Sequence, residues 1–474
     1  MKLQPYPEYK DSGVPWLGKI PAHWSICRCR YLFREVDERS KDGKETHLSM
    51  SQKRGLIDSA KIEKWRLQSE SYAGGKLCKN NDLVLNRLKA HLGVFACASQ
   101  SGIVSPDYTV LRPITDDKPI FFEFLFKSQP FVTEFTKSTK GIVKGFWRLY
   151  TDNFYSVRAV MPSPEEQLRI LRFIDSITSR TNQFIRNKRR LIELLKEQKQ
   201  NVINQAVTRG IDPEVKLKPS GVEWIGDIPE HWEVRRLRTI ASVRASGVDK
   251  NAIEDEVPVL LCNYVDVYKN DRITASIDFM QATASLEEIH AFELKANDVI
   301  ITKDSESWDD IAIPTFVPEA LSGVVCAYHL ALIRPLSREI EGEFLFRAFL
   351  SDPVADQFRI AANGVTRFGL AQGVIKGAFF PVPPLDEQRE IINHINKKCT
   401  EIDQAVARAE REIELMREYR TRLISDVVTG QVDVRGVVVP EIAGEDSAGF
   451  DDSAEDADGF EEAEMSELEE EIEE

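Results

Sequence analysis

One thirteen-residue stretch occurs twice in this chain. SGVPWLGKIPAHW spans Ser12 to Trp24 and SGVEWIGDIPEHW spans Ser220 to Trp232, with nine positions identical. The shared letters include two Trp, two Gly, a Pro and a His, and four of the chain's seven Trp lie in these copies. The offset of 208 residues is far longer than a solenoid period, so the repeated unit is the size of a domain.

A second pair of segments confirms the duplication. PSPEEQLRILRFID begins at Pro162 and PVPPLDEQREIINHIN at Pro381, so that Gln167 matches Gln388 at an offset of 221. The same offset holds at VTRGID (Val207 to Asp212) and VTGQVD (Val428 to Asp433), so the tract between aligns without a gap. The difference between the offsets, 13 residues, is length gained inside the second domain. Between leader and tract the halves match only faintly, best at GIVSPDYTVLRP (Gly102 to Pro113) and GVVCAYHLALIRP (Gly323 to Pro335). The frame is duplicated and its contents have diverged.

Each invariant tract reads as one long helix. In the second, Ile395, Ile402, Ala409, Met416 and Leu423 recur every seven residues, beside Val406, Ile413, Arg420 and Val427. In the first, Ile170, Ile177, Phe184 and Leu191 recur likewise, beside Ile185, Ile192 and Leu195. Ser163, Pro164 and Glu166 form a capping box at the first start, while Asp386 and Glu387 suit the macrodipole at the second. Gly210 and Gly430 are the stops. Residues 165 to 208 would make roughly 65 Å of helix at about 1.5 Å per residue. A helix so long with one apolar stripe needs a partner, and the tract of equal length is the natural one.

The expected fold class is α+β: two mixed α/β domains separated by a pair of long antiparallel coiled-coil helices, a pseudo-two-fold internal repeat. The expected boundaries are 1–161 for the first globular domain with its leader and 162–212 for the first helix. The second domain with its leader is 213–382, the second helix 383–436, and the tail 437–474.

The net charge of −15 is local in origin. No Lys or Arg follows Arg435, and residues 440–474 hold 17 acidic side chains. Without them the body is close to neutral, with 62 basic residues. The tail reads as disordered: a solubilising appendage, or a mimic of nucleic acid competing for the basic body. There is no apolar run near twenty residues, and MKLQPYPEYK lacks a signal-peptide core, so a cytoplasmic protein is expected. Seven scattered Cys fit thiols in a reducing compartment rather than a zinc site.

Catalytic signatures are lacking. There is no phosphate-binding G-x-x-x-x-G-K-[ST], no N-P-P-[FY] and no G-x-S-x-G. Pro106-Asp107 followed by Asp116-Asp117-Lys118 has the letters of a metal-dependent nuclease, but RPITDDKP reads as a loop and the second half has no counterpart. No catalytic residue, metal ligand or cofactor site is expected. His23 and His231 read as packing or hydrogen-bonding residues of the leaders.

Taken together, the leaders, the PSPEEQ and PPLDEQ steps and the two equal helices resemble the specificity subunits of type I restriction–modification systems, from about Tyr9 to Asp433. That resemblance implies two target-recognition domains, each reading one half of a split sequence in double-stranded DNA. It implies partners: two modification subunits that methylate adenine, and restriction subunits that hydrolyse ATP and cleave DNA. Adenosylmethionine, ATP and Mg would then belong to those partners. The acidic tail departs from the family pattern. A structural coiled-coil adaptor with protein-binding globular ends is the alternative, and sequence-selective, salt-sensitive duplex binding separates the two.

DNA contacts need Lys and Arg for phosphates, and Arg, Asn, Gln, Ser or Thr on loops for base edges. Basic charge coincides with turn residues at SQKRG, NRLKAH and TKGIVKGFWR in the first domain, offering Lys53, Arg54, Arg87, Lys89, Lys140, Lys144 and Arg148. In the second, ITKDSESWDD and ANGVTRFG offer Lys303, Asn363, Thr366 and Arg367. Lys144 and Arg148 are expected to correspond to Thr366 and Arg367. RNKRR (Arg186 to Arg190), within the first helix, could face DNA phosphates, an acidic partner surface or water.

Overall fold

In the computed structural model, the described residues are 3–51, 55–62, 72–140, 147–250, 253, 256–336, 338–364 and 366–439. The acidic tail, Lys53, Arg54 and Lys144 lie outside them. The chain divides into two compact units: Met1–Lys188 with Arg411–Glu474, and Arg189–Glu410. Both long helices, Pro164–Arg209 and Leu385–Val428, run through both units, and their starts differ by the 221 residues that the sequence match requires.

Each leader is a β-hairpin. Tyr9–Asp11 pairs with Lys19–Pro21 in the first unit, and Leu217–Pro219 with Asp227–Pro229 in the second. The identical letters make identical bonds. The Ser12 N–H donates to Gly18 O and the Ser220 N–H to Gly226 O, both at 3.0 Å. Trp24 N–H donates to Pro21 O, and Trp232 N–H to Pro229 O, again at 3.0 Å. The turn delivers each terminal Trp, 0% exposed, into a core.

In the first unit that core holds Trp24, Ile170, Phe173 and Ile174 from the start of one long helix, and Leu423, Val427 and Val428 from the end of the other. In the second unit Trp232 meets Ile391 and Ile395 from a helix start and Ile203, Ala206 and Val207 from a helix end. Helix-stopping glycines complete both joints. Gly430 has φ +80°, and a Cβ there would lie 2.9 Å from Trp24 and 2.5 Å from Pro21. Gly210 has φ +77°, with Trp232 at 3.4 Å from the same hypothetical atom.

The globular parts share one topology despite their divergent letters. In the first unit an antiparallel sheet orders Phe33–Val36, Tyr108–Pro113, Leu83–Asn86 and Phe95–Cys97. In the second it orders Ala241–Ala245, Leu330–Pro335, Val299–Thr302 and Pro314–Phe316. The faint internal match ends in the second strand of each sheet. Its arginine makes a bidentate bond to a buried aspartate: Arg112 to Asp82 at 3.0 and 2.9 Å, Arg334 to Asp298 at 2.8 and 2.7 Å. Burial of those carboxylates demands such a partner.

A second sheet in the second unit places Val257–Cys262 between Met280–Ala284, antiparallel, and Leu321–Cys326, parallel. The first unit has the same order in shorter form. Leu48–Ser51 pairs with Gly55–Asp58, and a parallel bridge joins His47 to Ile103 of the strand Gly102–Val104. The second domain's extra length is spread over several connections: Asp82 matches Asp298 at an offset of 216, and Arg112 matches Arg334 at 222. One of them is residues 263–279, which include the helix Tyr264–Lys269 and join Val257–Cys262 to Met280–Ala284; the matching strands of the first unit end at Ser51 and resume at Gly55.

The long helices pair antiparallel inside each unit. In the first, Arg420 donates to Asn182 Oδ1 at 3.0 Å and Lys188 meets Glu412 at 2.6 Å. In the second, Lys199 meets Asp403 at 2.8 Å. The seam expected for the second helix is buried or half-buried throughout. The first helix requires a correction: Leu191 is 41% exposed, and the inward stripe runs through Ile174, Thr181, Lys188 and Leu195. A straight helix drifts about 20° per heptad against a seven-residue repeat, so the stripe through Ile170 and Ile177 rotates out. Thr181 and Lys188 conceal its replacement from an apolar count.

The capping box also differs from expectation. Ser163 Oγ accepts from Glu166 N–H at 3.3 Å, but the Glu166 carboxylate turns to the leader. It accepts from Tyr6 OH and bonds His23 Nε2, both at 2.8 Å. His231 Nε2 and Glu387 repeat the contact at 2.8 Å. The leader histidines therefore clasp a helix start, as hydrogen-bonding residues. The matched Gln167 and Gln388, both 0% exposed, tie each helix start to the loop before a globular helix. Lys118 N–H donates to Gln167 Oε1 at 2.9 Å, and Glu341 N–H to Gln388 Oε1 at 2.8 Å.

Candidate nucleic-acid interface

In both units the strand that pairs with the Arg-Pro strand runs out into a polar loop, and a later hairpin packs its backbone on that loop. In the first unit Leu83–Asn86 ends beside Arg87, whose carbonyl accepts from Leu149 N–H at 3.1 Å. Lys140 and Arg148 close the hairpin by exchanging backbone bonds of 2.9 and 3.0 Å. In the second, Val299–Thr302 ends beside Lys303, whose carbonyl accepts from Leu370 N–H at 2.8 Å. Asn363 and Gly369 exchange the hairpin bonds at 3.3 and 2.9 Å. Arg87, Lys140 and Arg148 are thereby gathered at one edge of their unit, and Lys303, Asn363, Thr366 and Arg367 at one edge of theirs.

This backbone register corrects the expected correspondence. Arg148 matches Gly369, and Lys140 matches Asn363. Arg367 stands two residues before the Arg148 equivalent. The hairpins differ in length by two residues between their closing pairs, so an alignment by letters slips.

The charges are not equally available. Arg87 donates from Nε to Asp107 O at 2.7 Å, and its guanidinium lies 3.7 Å from the Asp107 carboxylate. Lys303 Nζ is 2.6 Å from Asp304 Oδ2, an oxygen shared with His329 Nδ1. Burial pushes the Asp304 carboxyl up, but the hydrogen bonds from Lys303 and His329 outweigh it and hold it below the usual carboxylate range. Lys89 is half-buried beside the turn Ala90–Leu92. Lys140, Asn363, Thr366 and Arg367 are exposed, and Arg148 is half-buried. In RNKRR, Lys188 is taken by Glu412 across the helix pair and Arg190 by Glu193 at 3.0 Å.

The nuclease-like letters acquire structural partners: Asp117 Oδ1 accepts from Gln167 Nε2 at 2.7 Å, and Asp107 holds Arg87. No group of three or more potential metal ligands occurs among the described residues. No helix among them is long and apolar enough to cross a membrane. All seven Cys are free, and burial pushes the Cys78 thiol up to about 11 and the Cys97 thiol up to about 12.

Sequence reasoning missed one part of the second edge. Beside Arg367 lies a cavity of about 510 Å³, lined also by Tyr264, Tyr268, Glu306, Tyr328 and His329. The Tyr264 and Tyr268 rings stack 5.7 Å apart at 14°. Both tyrosines sit on the helix Tyr264–Lys269, in one of the connections that are longer in the second domain. The net gain of 13 residues signalled an insertion without placing it.

Residues 229–405 match the family model described as type I restriction modification DNA specificity domain. The chain is 24% identical over 208 residues to the putative type I restriction enzyme MjaX specificity subunit of Methanocaldococcus jannaschii, covering 43% of this chain and 47% of that protein. It is 21% identical over 346 residues to the type I restriction enzyme MjaVIII specificity subunit of the same organism, covering 71% of this chain and 76% of that one. The first of these alignments thus spans about half of the relative's length. In fold the chain resembles a solved chain from a study of complex assembly and conformational transition of the type I R-M system. The TM-score is 0.60 at 14% identity, covering 86% of this chain and 98% of that chain.

Proposed function

We propose that this chain, which is similar in sequence and fold to type I restriction–modification specificity subunits, is the DNA-reading subunit of such a complex. Each unit reads one half of a bipartite duplex target through its loop-and-hairpin edge. The constant frame, the leaders and paired helices, is the surface on which modification and restriction subunits assemble. Methyl transfer, ATP hydrolysis and cleavage then belong to those partners with their adenosylmethionine, ATP and Mg, and the chain itself holds no catalytic residue. A cytoplasmic location follows from work on the host's own DNA.

One observation carries this reading. The two units share leader contacts bond for bond and place the same hairpin on the same loop, yet the side chains at those edges differ: Arg87, Lys140 and Arg148 against Lys303, Asn363 and Gly369. A constant frame fits constant partners, and divergent edges fit two different half-sites. Arg and Asn on turns are the residue types that reach base edges, and Lys neutralises phosphate.

The test is methylation mapping of the host genome with and without this gene. The expected result is a two-part adenine-methylated motif that appears only with the gene. Purified chain should also bind duplex DNA with an affinity that falls steeply with salt. Salt-insensitive or absent duplex binding, with no motif, would point to the adaptor instead.

A further inference from the structure

The cavity in the second unit borders a short two-stranded ladder. Asp304–Ser305 pairs antiparallel with Phe368–Gly369 in the register Asp304 to Gly369 and Ser305 to Phe368. The ladder ends there, and Glu306 and Arg367 are the residues that adjoin its last pair. Both line the cavity and both are exposed.

Much of the polar capacity around the cavity is already used. Asp304 accepts from Lys303 and His329, Asp310 accepts from Tyr268 OH at 2.8 Å, and Ser305 Oγ accepts from Ser307 N–H at 3.3 Å. Glu306 and Arg367 are different. Neither makes a hydrogen bond or ion pair among the described residues, although they are of opposite charge and line one cavity. One carboxylate acceptor and one forked donor are therefore presented to the same cavity. The stacked pair Tyr264 and Tyr268 walls the same cavity.

A phosphate does not fit this pair, because the Glu306 carboxylate would repel it. A base pair seen from the major groove does. Carboxylates accept from cytosine N4–H, and arginine donates two bonds to guanine O6 and N7. We propose that Glu306 and Arg367 together read one C·G base pair in the half-site of the second unit, the carboxylate taking the cytosine amino group and the guanidinium the guanine edge. This rests on the DNA-reading function proposed above and assigns a base to two residues.

The experiment selects full-length chain on a duplex library with randomised sequence and reads the enriched motifs of wild type, Glu306→Gln and Arg367→Ala. Wild type should enrich a two-part motif with a C·G pair in one half. Each variant should lose on the order of tenfold discrimination at that one position, with the other half unchanged. Both side chains are exposed, so unfolding midpoints should match wild type. A wild-type half-site without a C·G pair overturns the assignment, as do variants that leave the motif intact or weaken binding equally for all sequences. These results leave the DNA-reading function standing. Absence of any two-part motif in wild type removes that function as well, and so distinguishes the two failures.

Discussion

The leader joints and the reading edges are each present twice, and they have been kept alike in opposite ways. At the joints the side chains are the same: Trp24 and Trp232, His23 and His231, Gln167 and Gln388 occupy matching places with matching bonds. At the edges only the backbone is the same. The Leu149–Arg87 and Leu370–Lys303 bonds hold equivalent hairpins whose side chains differ. A joint works by filling space and satisfying buried groups, so its letters are fixed. An edge that meets a ligand needs its backbone in place and its side chains free to vary.

The comparison breaks first at the tryptophans. Trp24→Ala and Trp232→Ala should each destabilise the chain by about 3–5 kcal/mol, measured by urea unfolding. That is a large part of the roughly 5–15 kcal/mol typical of folded proteins, so both variants should accumulate poorly. One tolerated substitution beside one severe one would show that the joints are not equivalent.

A smaller loss is expected at the glutamines. Gln167→Ala and Gln388→Ala each leave a backbone N–H, of Lys118 or Glu341, without its acceptor. The expected cost is about 1–3 kcal/mol, alike in the two units, on the same unfolding assay. A pair of costs differing severalfold would mean that the matched bonds carry unequal weight.

At the edges the effect should move from stability to binding. Lys140→Ala removes an exposed charge and should change stability by no more than about 0.5 kcal/mol. If Lys140 meets phosphate, duplex affinity should fall for all sequences alike and the slope of log affinity against log salt should drop by about 1. An unchanged slope would remove Lys140 from the interface. The smallest effect concerns the thiols. Because burial pushes Cys29, Cys262 and Cys326 up, folded chain should leave them unmodified by a thiol reagent at neutral pH, and unfolding should release them. Rapid labelling of all seven in the folded chain would contradict the packing.

How much of this was written in the sequence follows the same division. The frame was legible because Trp, Gly, Pro and Gln are tied to one geometry at the joints, and repetition exposed them. The long helices were legible for the same reason, but the first helix's seam was not, since Thr181 and Lys188 are polar at inward positions. The edge segments could be found from basic turns, but their register could not. It is set by backbone bonds that leave no letter behind, which is why Arg148 matches Gly369. The cavity was hidden further, because its walls come from segments spread between Tyr264 and Arg367: the helix at Tyr264, the loop at Glu306, the turn at Tyr328 and Arg367 itself.

The central claim is that each unit reads one half-site independently within a common frame. The most direct measurement replaces residues 25–160, the contents of the first unit between leader and helix, with the equivalent segment of another specificity subunit. Methylated adenines are then mapped in a host that carries the partner subunits. The expected motif keeps the half-site read by the second unit and changes the other. A motif altered in both halves, or in neither, in a folded and active variant would contradict the claim.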